Sequence, residues 1–101
     1  MNKIIKDGKV AVLVSPGFGA GFHTWGAPVE AIFDPILVEL IENDKIQGAI
    51  EHVEKTYPET FLGGVADLCV AWLPEGAKFI IHEYDGSESI QLLDDLNWLT
   101  A

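Results

Sequence analysis

The 101-residue chain contains no arginine, and six lysines face 16 aspartate and glutamate residues, for a formal net charge of −10. This excess argues against binding to a nucleic-acid backbone, because such proteins neutralise phosphates with lysine and arginine. The single cysteine, Cys69, excludes an internal disulfide framework and any multi-cysteine zinc site. The early apolar run Val10–Val14 is far shorter than a secretory leader or the ~20 residues that span a bilayer. We therefore expect a cytoplasmic protein that binds no membrane.

The remaining composition suits one small globular domain over residues 1–101. Hydrophobic residues make up 49% of the chain, which is typical of a protein with a packed core and not of a disordered one. A domain of about 100 residues buries enough surface to fold without disulfides. So much apolar surface in a small domain also predicts a homo-oligomer.

Apolar runs predict strands at both ends of the chain. Lys9–Val14 is a short, valine-rich run of the kind found in a buried central strand. Three further strands are predicted in the last third, over Leu68–Leu73, Lys78–Tyr84 and Ser89–Leu93. The turn signals Pro74–Gly76 and Asp85-Gly86 join them, which favours an antiparallel meander. Asn97–Leu99 is a candidate final edge strand.

The middle of the chain predicts two short helices joined by a tight corner. Asp34 is a candidate N-cap, and Pro35 suits the first helical position. We expect Asp44 to cap the second helix and the Tyr57-Pro58 pair to end it. The expected fold is α+β: an antiparallel β-sheet, made of the N-terminal strand and the C-terminal three-stranded meander, packed against two short helices.

A glycine-rich loop after the first strand is the strongest candidate for a binding site. Glycines let a backbone approach a ligand closely, while the backbone N–H groups cradle an anion. The loop departs from the dinucleotide fingerprint, because Phe22 occupies the third glycine position, and no P-loop motif occurs. The alternative is a turn whose aromatic residues close one end of the core. The candidate ligand-binding residues here are Ser15, Gly17, Phe18, Gly19, Gly21, Phe22, His23, Thr24 and Trp25.

Glu83–Ser89 is the second candidate segment. Its Asp85-Gly86 pair is first of all a hairpin turn, but the neighbouring hydroxyls and carboxylates form a polar rim suited to a ligand. A calcium loop is disfavoured, because serines stand where the EF-hand pattern requires Asp or Asn. The candidate ligand-binding residues in this segment are Tyr84, Asp85, Ser87 and Ser89.

The sequence displays no catalytic pattern. Cys69 lies within a predicted strand, where we expect a small buried hydrophobic side chain, and Ser15 lacks the nucleophile elbow. The three histidines lack metal-binding spacing, and His52 is expected to be solvated at the polar flank of its helix. We therefore expect a non-enzymatic protein with no metal and no cofactor.

The acidic residues are unevenly distributed. After Lys78 no cation follows in the sequence, and the acidic residues there are Glu83, Asp85, Glu88, Asp94 and Asp95. One interpretation is a charge-protected sheet edge. The other is a surface that imitates nucleic acid and occupies a basic groove on another protein. Near the chain start, Lys3, Lys6 and Lys9 are candidates to place positive charge beside an anion bound at the glycine loop.

Two stretches, Val12–Gly21 followed by Thr24-Trp25, and Glu83–Ile90, resemble motifs of a family of small uncharacterised bacteriophage proteins. The similarity covers most of the chain, although Phe22 stands where the family has a tryptophan. The resemblance carries no catalytic role. It implies an anti-defence or host-takeover factor in the host cytoplasm, which either inhibits a host protein or sequesters a small nucleotide signal.

Residues and resemblance together predict a small non-enzymatic binding protein. In the leading hypothesis, Phe18, Phe22 and Trp25 stack on a nucleotide-like ligand, while glycine N–H groups and nearby hydroxyls form hydrogen bonds with it. The absence of arginine removes the bidentate phosphate clamp that many such sites use. The alternative is an acidic inhibitor that imitates nucleic acid and binds a host protein. Neither hypothesis involves direct binding of a nucleic-acid duplex.

Overall fold

The computed structural model describes residues 2–93, and these form an α+β fold with two antiparallel sheets. The first sheet contains β1 (Ile5–Lys6), β2 (Lys9–Val14) and β3 (Cys69–Pro74), in that order. The second is a hairpin of β4 (Phe79–Tyr84) and β5 (Ser87–Leu92). Between β2 and β3 lie the 3-10 helix η1 (His23–Trp25), the α-helices α1 (Val29–Ile32), α2 (Pro35–Glu42) and α3 (Ile46–Thr56), and the 3-10 helix η2 (Leu62–Asp67).

Strand β2 is the buried central strand that the sequence predicts. Residues 10–14 are all buried, and both edges of the strand are paired. Lys9 lies opposite Lys6 of β1, and Val12 lies opposite Ala71 of β3. Helices α1 and α2 also contact β2. A strand enclosed in this way has no solvent face, which explains why its sequence is continuously apolar and does not alternate.

The predicted C-terminal meander is wrong in its pairing. Strand β3 pairs with β2, whereas β4 pairs only with β5 among the described residues. The turn after β3 bonds back to the first hairpin, where the Glu75 N–H donates to the Gly8 carbonyl at 2.8 Å. This bond continues the β2–β3 ladder into the turn, and the last two strands then pair with each other in a sheet of their own. The candidate edge strand Asn97–Leu99, like Asp94 and Asp95, lies outside the described residues.

The start of α2 follows the prediction. Pro35 is its first residue, and the Asp34 carboxylate accepts hydrogen bonds from the N–H groups of Ile36 at 2.9 Å and Leu37 at 3.2 Å. Helix α3 ends at Thr56, directly before Tyr57-Pro58. It is the longest helix, with 11 residues, and no helix within residues 2–93 is long and apolar enough to cross a membrane.

The corner between α2 and α3 differs from the prediction. Asp44 adopts a left-handed conformation with φ of 56°, so it ends α2 and does not cap α3. Its N–H donates to the Ile41 carbonyl at 3.2 Å, and the Lys45 N–H donates to the Leu40 carbonyl at 2.9 Å. These two bonds form a Schellman motif, which usually contains glycine or asparagine at this position. Aspartate substitutes because its short polar side chain tolerates the left-handed region.

The two β-hairpins share one turn sequence. Asp7-Gly8 and Asp85-Gly86 have φ values of 52°, 75°, 52° and 85°, the positive pattern of a type I′ turn. The second turn is predicted from its flanking strands. The first has no such signal, because β1 is only two residues long.

Candidate functional site

The two segments that the sequence singles out meet in the structure. The turn of the β4–β5 hairpin lies against the glycine loop, where the Gly19 N–H donates to the Asp85 carbonyl at 3.1 Å. The base of the loop is bonded as well, because the Glu88 N–H donates to the Ser15 carbonyl at 2.9 Å. Residues more than 60 positions apart in the sequence therefore form one surface.

Close backbone packing explains the glycines at this junction. A Cβ on Gly86 would stand 2.5 Å from the Ala20 nitrogen, and a Cβ on Gly64 of η2 would collide with the Gly21 carbonyl. The glycine loop is thus held between the hairpin on one side and η2 on the other. Its glycines serve contacts within the protein, whatever else the loop binds.

The Glu88 carboxylate lies at the centre of this junction and is only 2% exposed. Its Oε1 accepts from the Ser15 N–H at 2.9 Å, and its Oε2 accepts from the N–H groups of Phe22 and Thr24, each at 2.9 Å. The Thr24 hydroxyl donates to the same oxygen at 2.7 Å. All four partners are donors, the pattern that suits an ionised carboxylate. The loop is therefore an anion cradle, and the chain's own Glu88 occupies it.

Glu88 was not among the predicted site residues, although the sequence carries a signal for it. In β5 it alternates with Ile90 and Leu92, which pack against the core, and residues two apart share one face of a strand. Its burial also corrects the predicted acidic surface, because this carboxylate is inside the protein and the surface after Lys78 loses one charge.

Three of the predicted ligand-binding residues lie inside the protein. Phe22 is fully buried in the core, and Gly21 is buried beneath it in the loop. Ser15 is also fully buried, and its hydroxyl donates toward the carbonyl of Gly64 at 2.9 Å. In this conformation these residues close one end of the core, and the Phe22 ring is not accessible for stacking.

The other predicted aromatic residues are exposed at the outer side of the junction. The exposed fraction is 74% for Phe18, 79% for Tyr84 and 39% for Trp25, and the neighbouring Phe61 is 51% exposed. The rings of Trp25 and Phe61 lie 5.4 Å apart, and the Trp25 indole N–H donates to Glu83 at 3.2 Å. We call Phe18, Trp25, Phe61 and Tyr84 the aromatic tip. Phe61 was not predicted and stands in a segment without periodic pattern, whereas Glu83 belongs to the predicted polar rim of the second candidate segment.

The charge around the aromatic tip is negative. The segments 16–25, 61–67 and 83–88, which build it, contain no lysine. Their exposed carboxylates are those of Asp67, Glu83 and Asp85. The tip therefore combines large aromatic side chains with acidic groups, an arrangement that suits a cationic partner better than an anionic one.

The expectation that three lysines lie beside the glycine loop is wrong. Lys9 begins β2, whereas the loop follows its other end, about 17 Å away for a strand of six residues. The Lys3 ammonium lies 4.4 Å from the centre of the Phe33 ring, and the Lys6 ammonium lies 5.5 Å from that of Trp72. These lysines lie over aromatic rings and not beside the glycine loop.

An open groove of about 660 Å³ adjoins the tip. His23 and Thr24 of η1 lie at its polar end, and its other lining residues are Val29, Ile32, Phe33, Phe79, Ile80 and Ile81. His23 Nδ1 lies 2.7 Å from the Ala27 carbonyl, which can only accept, so Nδ1 carries the proton. In the neutral ring, Nε2 is then the acceptor. The groove is thus lined mostly by apolar side chains, with one imidazole among them.

A second buried carboxylate lies at the helical side of the molecule. Besides capping α2, Asp34 accepts from Tyr57 Oη at 2.7 Å and contacts His52 Nε2 at 2.8 Å. Burial raises the pKa of Asp34, but the hydrogen bonds from His52, Tyr57 and the Leu37 N–H outweigh it, so the pKa is lowered. Burial and the Asp34 hydrogen bond raise the pKa of Tyr57. His52 is therefore not the solvated residue that the sequence predicts, and its side chain is only 17% exposed.

The remaining candidates lie apart from these centres or serve the backbone. Ser87 is half-buried and its hydroxyl donates to the Pro16 carbonyl at 2.7 Å, whereas Ser89 is exposed on β5. A Cβ on Gly17 would stand 2.5 Å from the carboxylate of Asp67, whose side chain is exposed and can turn away. Cys69 is exposed at the start of β3, so its predicted burial is wrong. Within the described part of the chain, no three His, Cys, Asp or Glu side chains are arranged to hold a metal ion.

Comparison of the chain with protein-family models, curated proteins and solved structures found no match.

Proposed function

We propose that the chain is a non-enzymatic binding protein that uses the aromatic tip to bind a protein with a basic surface. The observation that carries this proposal is the exposure of four aromatic side chains on one junction, from 39% for Trp25 to 79% for Tyr84. Groups of exposed apolar side chains on a small soluble protein mark interaction sites. Aromatic side chains are also the usual anchors of protein interfaces, because each buries a large area with few rotatable bonds.

The charge distribution supports a basic partner. Asp67, Glu83 and Asp85 are exposed around the tip, and the chain as a whole carries a net charge of −10. Such a surface attracts a cationic groove at long range and speeds association at low salt. The resemblance to small phage proteins implies an anti-defence or host-takeover factor, which either inhibits a host protein or sequesters a nucleotide signal, so it agrees with this role without selecting it over the second candidate.

The internal bonding of the loop supports a preorganised surface. Glu88 fixes the backbone at Ser15, Phe22 and Thr24, and the hairpin turn packs against the loop without space between them. A surface that is already ordered loses little conformational entropy on binding. Rigid aromatic anchors of this kind favour a specific partner.

Sequestration of a nucleotide-like ligand is the second candidate, and the exposure of Phe18 and Tyr84 favours it because such rings stack on bases. The acidic surroundings and the occupation of the N–H cradle by Glu88 count against an anionic ligand. Thermal-shift measurements with a panel of nucleotides and cyclic nucleotides test it, and no shift with any of them would refute it.

Affinity capture from a bacterial lysate tests the leading proposal, with the double variant Phe18→Ala/Tyr84→Ala compared with the wild type. The matched control is Ile5→Ala/Ile36→Ala, which truncates two exposed apolar side chains away from the tip. We expect a basic protein that is retained at low salt, released at high salt, and lost only with the tip variant. Equal capture by both double variants would contradict the proposal.

A further inference from the structure

The outer edge of β4 is directed away from its partner strand. Tyr84 and Ser87 flank a two-residue turn and pair with each other, and such a flanking pair is hydrogen-bonded. The Leu93 N–H also donates to the Lys78 carbonyl at 3.0 Å. Lys78 is six residues before Tyr84, and backbone groups two residues apart face the same side of a strand, so both residues face β5. The backbone groups of Ile80 and His82 thus also face β5. Those of the odd-numbered residues, 79, 81 and 83, face outward.

No described residue pairs with this edge. The backbone N–H and carbonyl groups of Phe79, Ile81 and Glu83 form no hydrogen bond with any other segment of residues 2–93. The other edge of the hairpin is used, because the Glu88 N–H bonds to the Ser15 carbonyl. An unpaired row of donors and acceptors is a template on which an extended peptide forms a further strand.

The groove lies on the β4 side of the hairpin, because its lining includes three residues of β4 and none of β5. Ile80 and Ile81 of β4 line it from one side and Val29 from the other, and Val29 and Ile80 are 47% and 40% exposed. Alternate side chains of a strand point to the same face. A strand added to β4 therefore places every second side chain over this apolar surface, while its backbone bonds to the edge.

The charges near the edge indicate the kind of segment that fits. Glu83 lies on the edge and Asp85 follows it in the turn, and Glu30 stands beside Val29 on α1. All three are exposed. The positive charges lie toward the other end of β4: Lys78 precedes the strand, and the Lys3 ammonium lies 4.4 Å from the centre of the Phe33 ring, which packs against Phe79. A segment with lysine or arginine near the Glu83 end and apolar residues between complements this pattern.

We propose that the partner protein contributes an extended, basic and apolar segment that adds to the outer edge of β4 as a strand. The proposal rests on the proposed function for the nature of the partner, and it specifies how that partner is bound. The tip and the edge share η1, since Trp25 belongs to the tip while His23 and Thr24 line the groove. One partner can therefore contact both.

Amide hydrogen exchange by NMR tests this directly, with a nine-residue peptide of alternating valine and lysine as the probe. In the free protein we expect the N–H groups of Ile80 and His82 to be protected and those of Phe79 and Ile81 to exchange rapidly. The peptide should slow exchange at the odd-numbered residues by about tenfold or more, and a valine–glutamate peptide should not. If the odd-numbered amides are already protected in the free protein, the edge is already covered. Protection that rises with protein concentration indicates a second copy, and protection that does not indicates the chain itself. Either result would overturn the proposal.

Variants of the groove supply the second measurement. Val29→Lys should weaken peptide binding by about tenfold, because it places a like charge in the path of the lysines, whereas Val29→Glu should preserve or strengthen binding. The control Ile36→Lys introduces the same charge at an exposed site of α2 outside the groove and should bind as the wild type. Equal affinities for the two Val29 variants would refute the charge preference. If no peptide protection is seen while the tip variant still loses its captured partner, strand addition is wrong and the proposed function stands. If the peptide protects the odd-numbered amides while the tip variant captures the partner as well as the wild type does, strand addition stands and the proposed function is wrong.

Discussion

Two buried carboxylates, Glu88 and Asp34, organise opposite parts of the molecule, and they do so with different partners. Asp34 accepts from two N–H groups at the start of its own helix and from the side chains of Tyr57 and His52. Glu88 accepts three backbone N–H groups and one hydroxyl, all from residues at least 64 positions away. The described residues place no lysine within ion-pairing distance of Glu88.

The two sets of partners stabilise their regions in different ways. Side-chain partners, such as those of Asp34, are separate groups that a substitution removes one at a time. Backbone partners, such as those of Glu88, remain when any neighbouring side chain changes. Three N–H groups at the glycine loop therefore depend on one side chain of the hairpin, whereas the helical corner shares its stability among several contacts.

The largest effect is expected for Glu88→Ala. It leaves three N–H groups and a hydroxyl buried without an acceptor, and we expect a loss of about 3–4 kcal/mol in the free energy of unfolding. Glu88→Gln should lower the free energy of unfolding less. Its amide oxygen, placed at Oε2, keeps the bonds from the Phe22 N–H and from the N–H and hydroxyl of Thr24, and only the Ser15 N–H then faces the NH₂ group, which cannot accept. Asp34→Ala should cost about 2 kcal/mol, as expected for the loss of a helix cap and two side-chain contacts.

Urea denaturation measures all three variants, and Glu51→Ala, at an exposed glutamate of α3, serves as control. If Glu88→Ala lowered the free energy of unfolding no more than Asp34→Ala, the proposed contrast between the two carboxylates would be wrong. The loop would then not depend on its single acceptor.

The variants Gly86→Ala and Gly8→Ala test how tightly the hairpin turn next to Glu88 packs against the glycine loop. Both glycines have positive φ, 85° and 75°, but a Cβ meets the Ala20 backbone only at Gly86, and nothing lies within 4 Å at Gly8. Gly8→Ala should therefore show the conformational cost alone, about 1 kcal/mol. Gly86→Ala should cost about 2 kcal/mol more, because the hairpin must move away from the loop. Equal costs in thermal unfolding would show that the contact between turn and loop is not tight.

Tyr57→Phe tests whether the stability of the helical corner at Asp34 is shared among several contacts. It removes one hydroxyl donor from a half-buried site, and we expect a loss of about 1 kcal/mol, well below that of Glu88→Ala. Tyr84→Phe, at a residue that is 79% exposed, should leave the free energy of unfolding unchanged. A loss for Tyr57→Phe as large as that for Asp34→Ala would indicate that the tyrosine alone holds the corner.

The smallest effect is the pH dependence that arises from Asp34. Its pKa is lowered in the folded protein, so the stability it contributes is present above its ordinary value of 3.8 and is lost as the pH falls through the folded pKa. Asp34→Asn should therefore narrow the difference in unfolding free energy between pH 6 and strongly acidic pH. Identical acid profiles for the wild type and this variant would show that the carboxylate gains nothing from its partners on folding.

Much of the fold was predictable where the signal was local. The Asp34-Pro35 start of α2, the buried run of β2 and the Asp85-Gly86 turn each depend on neighbouring residues, and all three are confirmed. The predicted pairing of β3 with β4 is wrong, because a tight turn at Gly76 is compatible with either a hairpin or a departure from the sheet. The bond from Glu75 to Gly8 ties this turn to the first hairpin, and no local pattern contains it.

The candidate site shows the same division. By itself, the sequence determined the acidic excess, the absence of arginine, the glycine loop and the aromatic residues within it, because these are properties of composition and short motifs. Only the tertiary structure decided that Phe22 points inward, that Phe18 and Tyr84 point outward, and that Glu88 fills the cradle. The reason is physical: every residue except proline carries the same backbone N–H group. A sequence therefore cannot tell which of these donors a distant carboxylate will find.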